Sequence, residues 1–398
     1  MTGHADDWNR WWTRQITRRR LLRGTALGTA GLATAVILGC EEDGKEPTPA
    51  AGETPAPGES PAALTGPLNF SNWPFYIDEK TNGDFEAEFG VSVNYVEDIN
   101  DNDEFFAIIQ PQLSRGENTG RDIIALTDWM AGRLIRLGWV EELDKSNIPN
   151  WELTRDDLKD VAFDPGRKYS LVWQSGFAAI GYNPNLTGRE LTKVEDIFDP
   201  AFAGHVTMLT EMRDTIGLTL LAMGWDPENA TVDDARAAVE RLQQYVDNGH
   251  IRRFTGNDYG PELARGDTWA AFAWSGDVIQ LQLDNPDLRW LFPEEGFMLW
   301  SDNMLIPKGA QHKLTAETYM NFYYRPQIQA QVGAFVQFIP PVRHDLVKEE
   351  MAKIDETLVD NPLVFPSEAD LARAKIFKPL EEEEEQQFNE LFAGLIGA

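Results

Sequence analysis

Cysteine is nearly absent: Cys40 is the only one in 398 residues. That excludes a disulfide framework and any cysteine-rich metal site. Histidine is scarce as well. His4, His205, His250, His312 and His344 are scattered and lie outside the acidic and aromatic clusters described below. The chain has no Gly-x-Ser-x-Gly elbow, no His-Glu-x-x-His metal motif and no phosphate-cradling glycine loop, so the common hydrolase and nucleotide chemistries find no foothold. The stretch EDINDNDE looks like a calcium loop but lacks its central glycine and closing glutamate, and reads as a helix-capping loop. Positive charge is in deficit, with 35 Lys and Arg against 65 Asp and Glu and a formal net charge of -30. Such a chain repels nucleic acid and anionic membrane surfaces and concentrates cations.

What positive charge there is gathers first at the N-terminus. Residues 1–39 read as an export signal: a basic segment, the apolar run TALGTAGLATAVILG, then Cys40. Thr17, Arg18, Arg19, Leu21, Leu22 and Arg23 resemble a twin-arginine export motif. The apolar run falls short of the roughly 20 residues needed to span a bilayer, so the expectation is a processed lipoprotein carrying its lipid on Cys40. Residues 1–39 hold six Arg and two Asp, so the rest of the chain carries -34. Residues 40–66, rich in Pro, Glu, Gly and Ala, should form a disordered tether.

The remaining 330 or so residues suffice for two domains. Runs such as VSVNYVED and RDIIALTDW read as strands, and EFFAIIQPQLSRG as a helix. Strand and helix alternate at the spacing of an α/β layered domain with a mostly parallel sheet. KYSLVWQSGFAAIGYN is a long β-prone run with no helix inside it, expected to cross between two lobes. A second α/β pattern follows. It includes a helix over TVDDARAAVERLQQYVDNGH, capped by Thr231, with Ala235, Val239, Leu242 and Val246 as its apolar stripe and Gly249 as its stop. The tail EEEEEQQFNELFAGLIGA is helix-compatible, its glutamates expected to face solvent. No internal repeat is apparent.

In open α/β sheets, ligands bind beyond the carboxyl ends of the strands. Trp73 and Tyr76 follow the first strand, Asp128 and Trp129 follow DIIALT, and Glu211 and Asp214 follow VTMLT. Trp274 and Asp277 follow AAFA, while Trp300 and Asp302 stand two apart in the strand MLWSDNMLIP. Residues two apart in a strand face the same way, which puts indole and carboxylate on one side. Singly, such residues read as core tryptophans and helix caps: Asp214 and Asp277 could be N-caps, and Arg213 could pair with Glu211 or Asp214. Their recurrence at equivalent positions points to a site. Aromatic faces attract ammonium groups and pack on methylenes, and carboxylates complete charge-assisted hydrogen bonds to the same groups. A slot of this kind suits a linear diamine or triamine.

From about Leu68 onward the chain also resembles the periplasmic spermidine/putrescine-binding proteins of ABC transporters, through NWPFY, DII, MLTEMRD, WSGDV and WSDNMLIPKGA in that order. The resemblance implies a two-lobed periplasmic-binding-protein fold of α/β class, each lobe a mostly parallel sheet flanked by helices, with the ligand cleft between the lobes. Lobe 1 would comprise 67–172 plus about 302–335, and lobe 2 would comprise 173–301 plus about 336–398. It also implies ligand contacts for Trp73, Tyr76, Trp274, Trp300 and Asp302, with an acidic pair near Glu211 and Asp214. This chain departs from the family pattern at Phe338, where a tyrosine is common, and at Asp128 and Trp129, where tyrosines are common. The expected role is a monomeric, non-enzymatic polyamine-binding lipoprotein outside the cytoplasmic membrane. It would need no cofactor or metal, bind no nucleic acid and serve an ABC permease. The alternatives are an exported carbohydrate-binding protein or a glycoside hydrolase built on paired carboxylates. An iron(III) binder would want tyrosinates, but Tyr323 and Tyr324 sit at core-like spacing in a helical stretch.

Overall fold

The computed structural model describes residues 63–397. The signal segment, Cys40 and nearly all of the tether lie outside the described residues. The last tether residues are already docked: Thr65 exchanges hydrogen bonds with Thr315 at 2.6 and 3.1 Å.

Among the described residues ten strands form one mixed sheet: β1 (Leu68–Asn72), β2 (Val93–Glu97), β3 (Ile123–Thr127), β4 (Ser170–Tyr182), β5 (Val206–Leu209), β6 (Ile251–Thr255), β7 (Ala270–Trp274), β8 (Arg289–Leu291), β9 (Phe297–Leu305) and β10 (Ala374–Lys375). The order is β2-β1-β3-β9-β4-β7-β5-β6, with β8 on β4 and β10 on β9. At one end β2, β1 and β3 run parallel, and at the other end so do β7, β5 and β6. Strands of a parallel sheet covered on both faces lose the alternation of polar and apolar residues. The runs IIALT, VTML and AAFAW behave accordingly, buried almost throughout.

Two long antiparallel strands join the triads. β9 pairs with β3 from Ile124↔Leu305 to Thr127↔Asp302, and with β4 from Ser170↔Leu305 to Ala178↔Met298. Beyond that point β4 pairs with β7, starting at Ala178↔Trp274. The triads therefore define two halves of the molecule, and β4 and β9 pass from one to the other. A bulge in β4 between Val172 and Gln174 leaves Trp173 out of the ladder. Its ring stacks on Tyr323 at 3.8 Å, and its indole N–H donates to the Tyr76 carbonyl at 3.1 Å.

Helices cover the sheet. Those that matter for the site are α1 (Asn102–Leu113), α2 (Asp128–Arg136), α3 (Met212–Ala222), α4 (Val232–Asp247), α5 (Ser275–Leu281) and α6 (Glu382–Ile396). The capping loop expected at EDINDNDE is present: Asp101 caps α1, accepting from the backbone N–H groups of Asp103 and Glu104 at 2.9 and 3.1 Å. Thr231 and Asp234 form a reciprocal capping box on α4.

Candidate functional site

Each parallel triad aims its carboxyl ends at the seam between the halves. β1 delivers Trp73 and Tyr76, β3 delivers Asp128 and Trp129, β5 delivers Glu211 and Asp214, and β7 ends on Trp274 with Asp277 in the next turn. From the middle of β9 come Trp300 and Asp302. All ten residues line a single cavity of about 360 Å³.

Asp302 is only 4 % exposed and accepts from the Thr127 hydroxyl at 2.8 Å. Burial lifts its pKa to about 7; the Thr127 and Tyr76 hydroxyls oppose that shift, and the Asp128 and Asp214 charges add to it. The buried Tyr76 hydroxyl acts on Asp302 but completes no full hydrogen bond among the described residues. Asp128 is raised as well by desolvation, against the opposing Arg167 charge and a 2.7 Å hydrogen bond from Asn303. The Asn303 amide oxygen in turn accepts from the buried Arg167 guanidinium at 2.7 Å.

From the other half, Asp214 accepts the Trp274 indole N–H at 2.9 Å, and burial raises it to about 6. Asp277 accepts from the Tyr259 hydroxyl at 2.8 Å and the Asn257 amide at 3.2 Å, and burial lifts it also to about 6. Glu211 is pushed well above its usual range by burial and then by the charges of Asp101 and Asp214. It reaches across to α1, accepting from the Asn102 amide side chain at 2.8 Å. Among the described residues, no ion pair reaches Asp128, Glu211, Asp214, Asp277 or Asp302. A lone buried carboxylate is costly, and five share this cavity.

The aromatic side chains close the walls. Trp73 meets Trp274 edge to face across the seam at 6.4 Å, and Trp73 also donates to the Ala125 carbonyl at 3.1 Å. Phe338 lies 5.3 Å from both Tyr76 and Trp300. Close approach here depends on glycine: a Cβ on Gly176 would stand 2.5 Å from the Trp300 ring and 2.7 Å from Phe338. Among the described residues the buried indole N–H groups of Trp129 and Trp300 find no hydrogen-bond partner.

Several sequence expectations need correction. Arg213 pairs with neither Glu211 nor Asp214; it donates to Glu385 at 2.7 Å, with its guanidinium 3.9 Å over the Trp129 ring. Trp129 thus meets a cation of the protein itself. Asp214 and Asp277 are not N-caps: they sit in the first turns of α3 and α5, whose N-cap positions are Glu211 and Trp274. The five-glutamate run is not wholly solvated, because Glu385 is 3 % exposed. Sequence reasoning also missed Thr127, Asn257 and the C-terminal wall from Ile376 to Leu380. A polar Thr127 ending an otherwise apolar strand was the available signal for the first; nothing local marked the wall. Among the described residues no cluster of His, Cys, Asp and Glu is arranged to hold a metal ion.

Residues 83–364 match the family model of the bacterial extracellular solute-binding protein. The chain belongs to that family. Within it, the chain is 25 % identical over 341 residues to the spermidine/putrescine-binding periplasmic protein 1 of Haemophilus influenzae, covering 85 % of this chain and 89 % of that one. It is 28 % identical over 331 residues to the putrescine-binding periplasmic protein PotF of Escherichia coli, covering 78 % and 85 %. Among solved structures, the spermidine/putrescine ABC transporter substrate-binding protein PotD of Streptococcus pneumoniae superposes with a TM-score of 0.68 at 21 % identity, covering 82 % of this chain and 98 % of that one. The architecture is the two-lobed periplasmic-binding-protein fold of these solute-binding proteins, and an extracytoplasmic location fits the family.

Proposed function

We propose that this solute-binding protein captures a polyamine, spermidine or putrescine, and hands it to an ABC importer. The observation that carries the reading is the cavity itself, with five carboxylates that make no ion pair among the described residues, set among Trp73, Tyr76, Trp274, Trp300 and Phe338. Arg136, Arg213 and Lys378 also line the cavity, but none forms an ion pair with these five, and a protonated polyamine supplies that counter-charge. Its ammonium groups meet the carboxylates in charge-assisted hydrogen bonds, and its methylenes lie on the rings. Asp302 takes one ammonium with Trp300 against the neighbouring carbons. Asp128, Glu211, Asp214 and Asp277 serve further along the chain. A sugar would leave those carboxylates buried without counter-charge, which disfavours the carbohydrate and glycosidase readings. The names of the relatives support the polyamine choice, and their being solute carriers supports a non-enzymatic role.

In this reading the lobes comprise 67–172 with about 302–335, and 173–301 with about 336–398, and they close on the ligand. Residues 1–39 direct export, Cys40 carries the lipid, and the monomer works tethered to the outer face of the cytoplasmic membrane beside its permease.

A thermal-shift series with putrescine, spermidine, spermine and maltose tests the ligand class, since a molecule binding only the folded state raises its apparent stability. Polyamines should raise Tm and maltose should not. By calorimetry at pH 8, Asp302→Asn should weaken binding by roughly 2–3 kcal/mol, as expected for removing one charge from a buried pair. Unchanged affinity in that variant would remove Asp302 from the site.

A further inference from the structure

One wall of the cavity comes from the C-terminal helix, and the carboxylate it presents is already engaged. Glu385 accepts from Arg213 at 2.7 Å and Arg136 at 3.3 Å, and lies 3.6 Å from the Arg133 guanidinium. These arginines come from both halves. Arg133 and Arg136 stand on α2, which follows β3; Arg213 stands on α3, which follows β5. Glu385's own helix, α6, packs on α3 and α4, so it rides with the second half. Arg213 also reaches over to α2, through the ring of Trp129. Arg133 is held in turn by Asp103 at 3.0 Å. Finally, Arg136 and Glu385 line two spaces at once: the acidic cavity, and a second hollow between α1, α2 and α6 that Phe106 and Trp139 also border.

We propose that Glu385 is a latch: its ion pairs with Arg136 and Arg133 fasten α6 to α2 across the seam and shut the ligand cavity off from the neighbouring hollow. Beside five acids that make no ion pair among the described residues, a sixth carboxylate would pass for one more ammonium contact. Its arginines assign it a different task. When the halves part, Arg213 stays with Glu385 and keeps the buried charge compensated, while Arg133 and Arg136 let go. The two states thus differ by ion pairs made only in the closed form, which is what a bias on a two-state equilibrium requires. The latch slows escape more than capture, because an arriving ligand meets the open form and a bound one must wait for the pairs to break.

The inference rests on the cavity closing around a ligand, and the test separates it from the choice of ligand. Arg136 is 48 % exposed at its side chain, so Arg136→Gln should fold; Glu385→Gln strands Arg213 and is the riskier variant. In the full chain, stopped-flow tryptophan fluorescence with spermidine should show dissociation about tenfold faster in Arg136→Gln, with association changed less than twofold. Glu385→Gln should do the same, and the double variant should be no faster than Glu385→Gln alone. Dissociation from folded Arg136→Gln within twofold of wild type overturns the latch. Should wild type not respond to spermidine at all, the polyamine reading falls and the latch is judged by small-angle scattering of the ligand-free proteins. A larger radius of gyration for Arg136→Gln than for wild type supports it, and equal radii overturn it.

Discussion

Asp302 concentrates the chemistry of the site in one side chain. Burial keeps it protonated up to about pH 7, and Asp214 and Asp277 up to about 6, all above the ordinary carboxylate value near 3.9. A folded-state pKa above the unfolded one means that the native protein holds more protons between those values. The stability these three groups contribute to the ligand-free protein is therefore fully present only below about pH 4 and is lost as pH rises through 6 to 7. A cationic ligand reverses the preference, because it binds the ionised carboxylates. Its affinity should fall as pH drops from 8 to 5, and binding near pH 6.5 should release protons. Calorimetry at pH 6.5 in two buffers of different ionisation enthalpy measures that release directly. Equal binding enthalpies in the two buffers would show that these carboxylates do not change protonation on binding. The thermal shift caused by spermidine should likewise be larger at pH 8 than at pH 5.

Among the elements, β4 and β9 do the positioning. Gly176 on β4 stands opposite Trp300 on β9, and its missing side chain is the space that the Trp300 and Phe338 rings occupy. Gly176→Ala should force both rings outward, costing about 1–3 kcal/mol of stability as overpacking does. It should also weaken spermidine binding more than a remote substitution of equal stability cost; a thermal melt and a titration on the same sample compare the two losses. This arrangement also shows what a sequence can and cannot disclose. The acids and rings at the ends of β1, β3, β5 and β7 were legible because strand period and the direction of a parallel sheet place strand ends together without any knowledge of packing. Trp300 and Asp302 were legible because i and i+2 share a face. Gly176 was not, because its role depends on which strand lies beside β4, and β9 is over 120 residues away along the chain. Arg252 and Arg253 make β6 a polar edge strand that the apolar pattern does not flag. Glu385 looked like its four exposed or half-exposed neighbours, and only the fold brings three arginines from two distant helices to it.

Across the whole molecule, charge acts on the rate of encounter before any contact forms. Most of the carboxylates behind the formal charge of -30 lie outside the cavity, and burial raises the pKa of Asp214, Asp277 and Asp302 within it. A polycationic ligand is therefore drawn in by a field that extends beyond the site, then held by groups that solvent scarcely reaches. Salt separates the two contributions. The screening length is about 30 Å at 0.01 M and about 3 Å at 1 M, and buried pairs feel it much less than exposed ones. Association of spermidine should accordingly slow by roughly tenfold or more over that range, within the span that electrostatic steering commonly covers, and dissociation should change far less. The slowing should be steeper for spermidine than for putrescine, since a third ammonium increases the attraction at every distance. Stopped-flow traces at several salt concentrations give both rates. An association rate indifferent to salt would mean that the acidic surface plays no part in capture and that the cavity alone accounts for it.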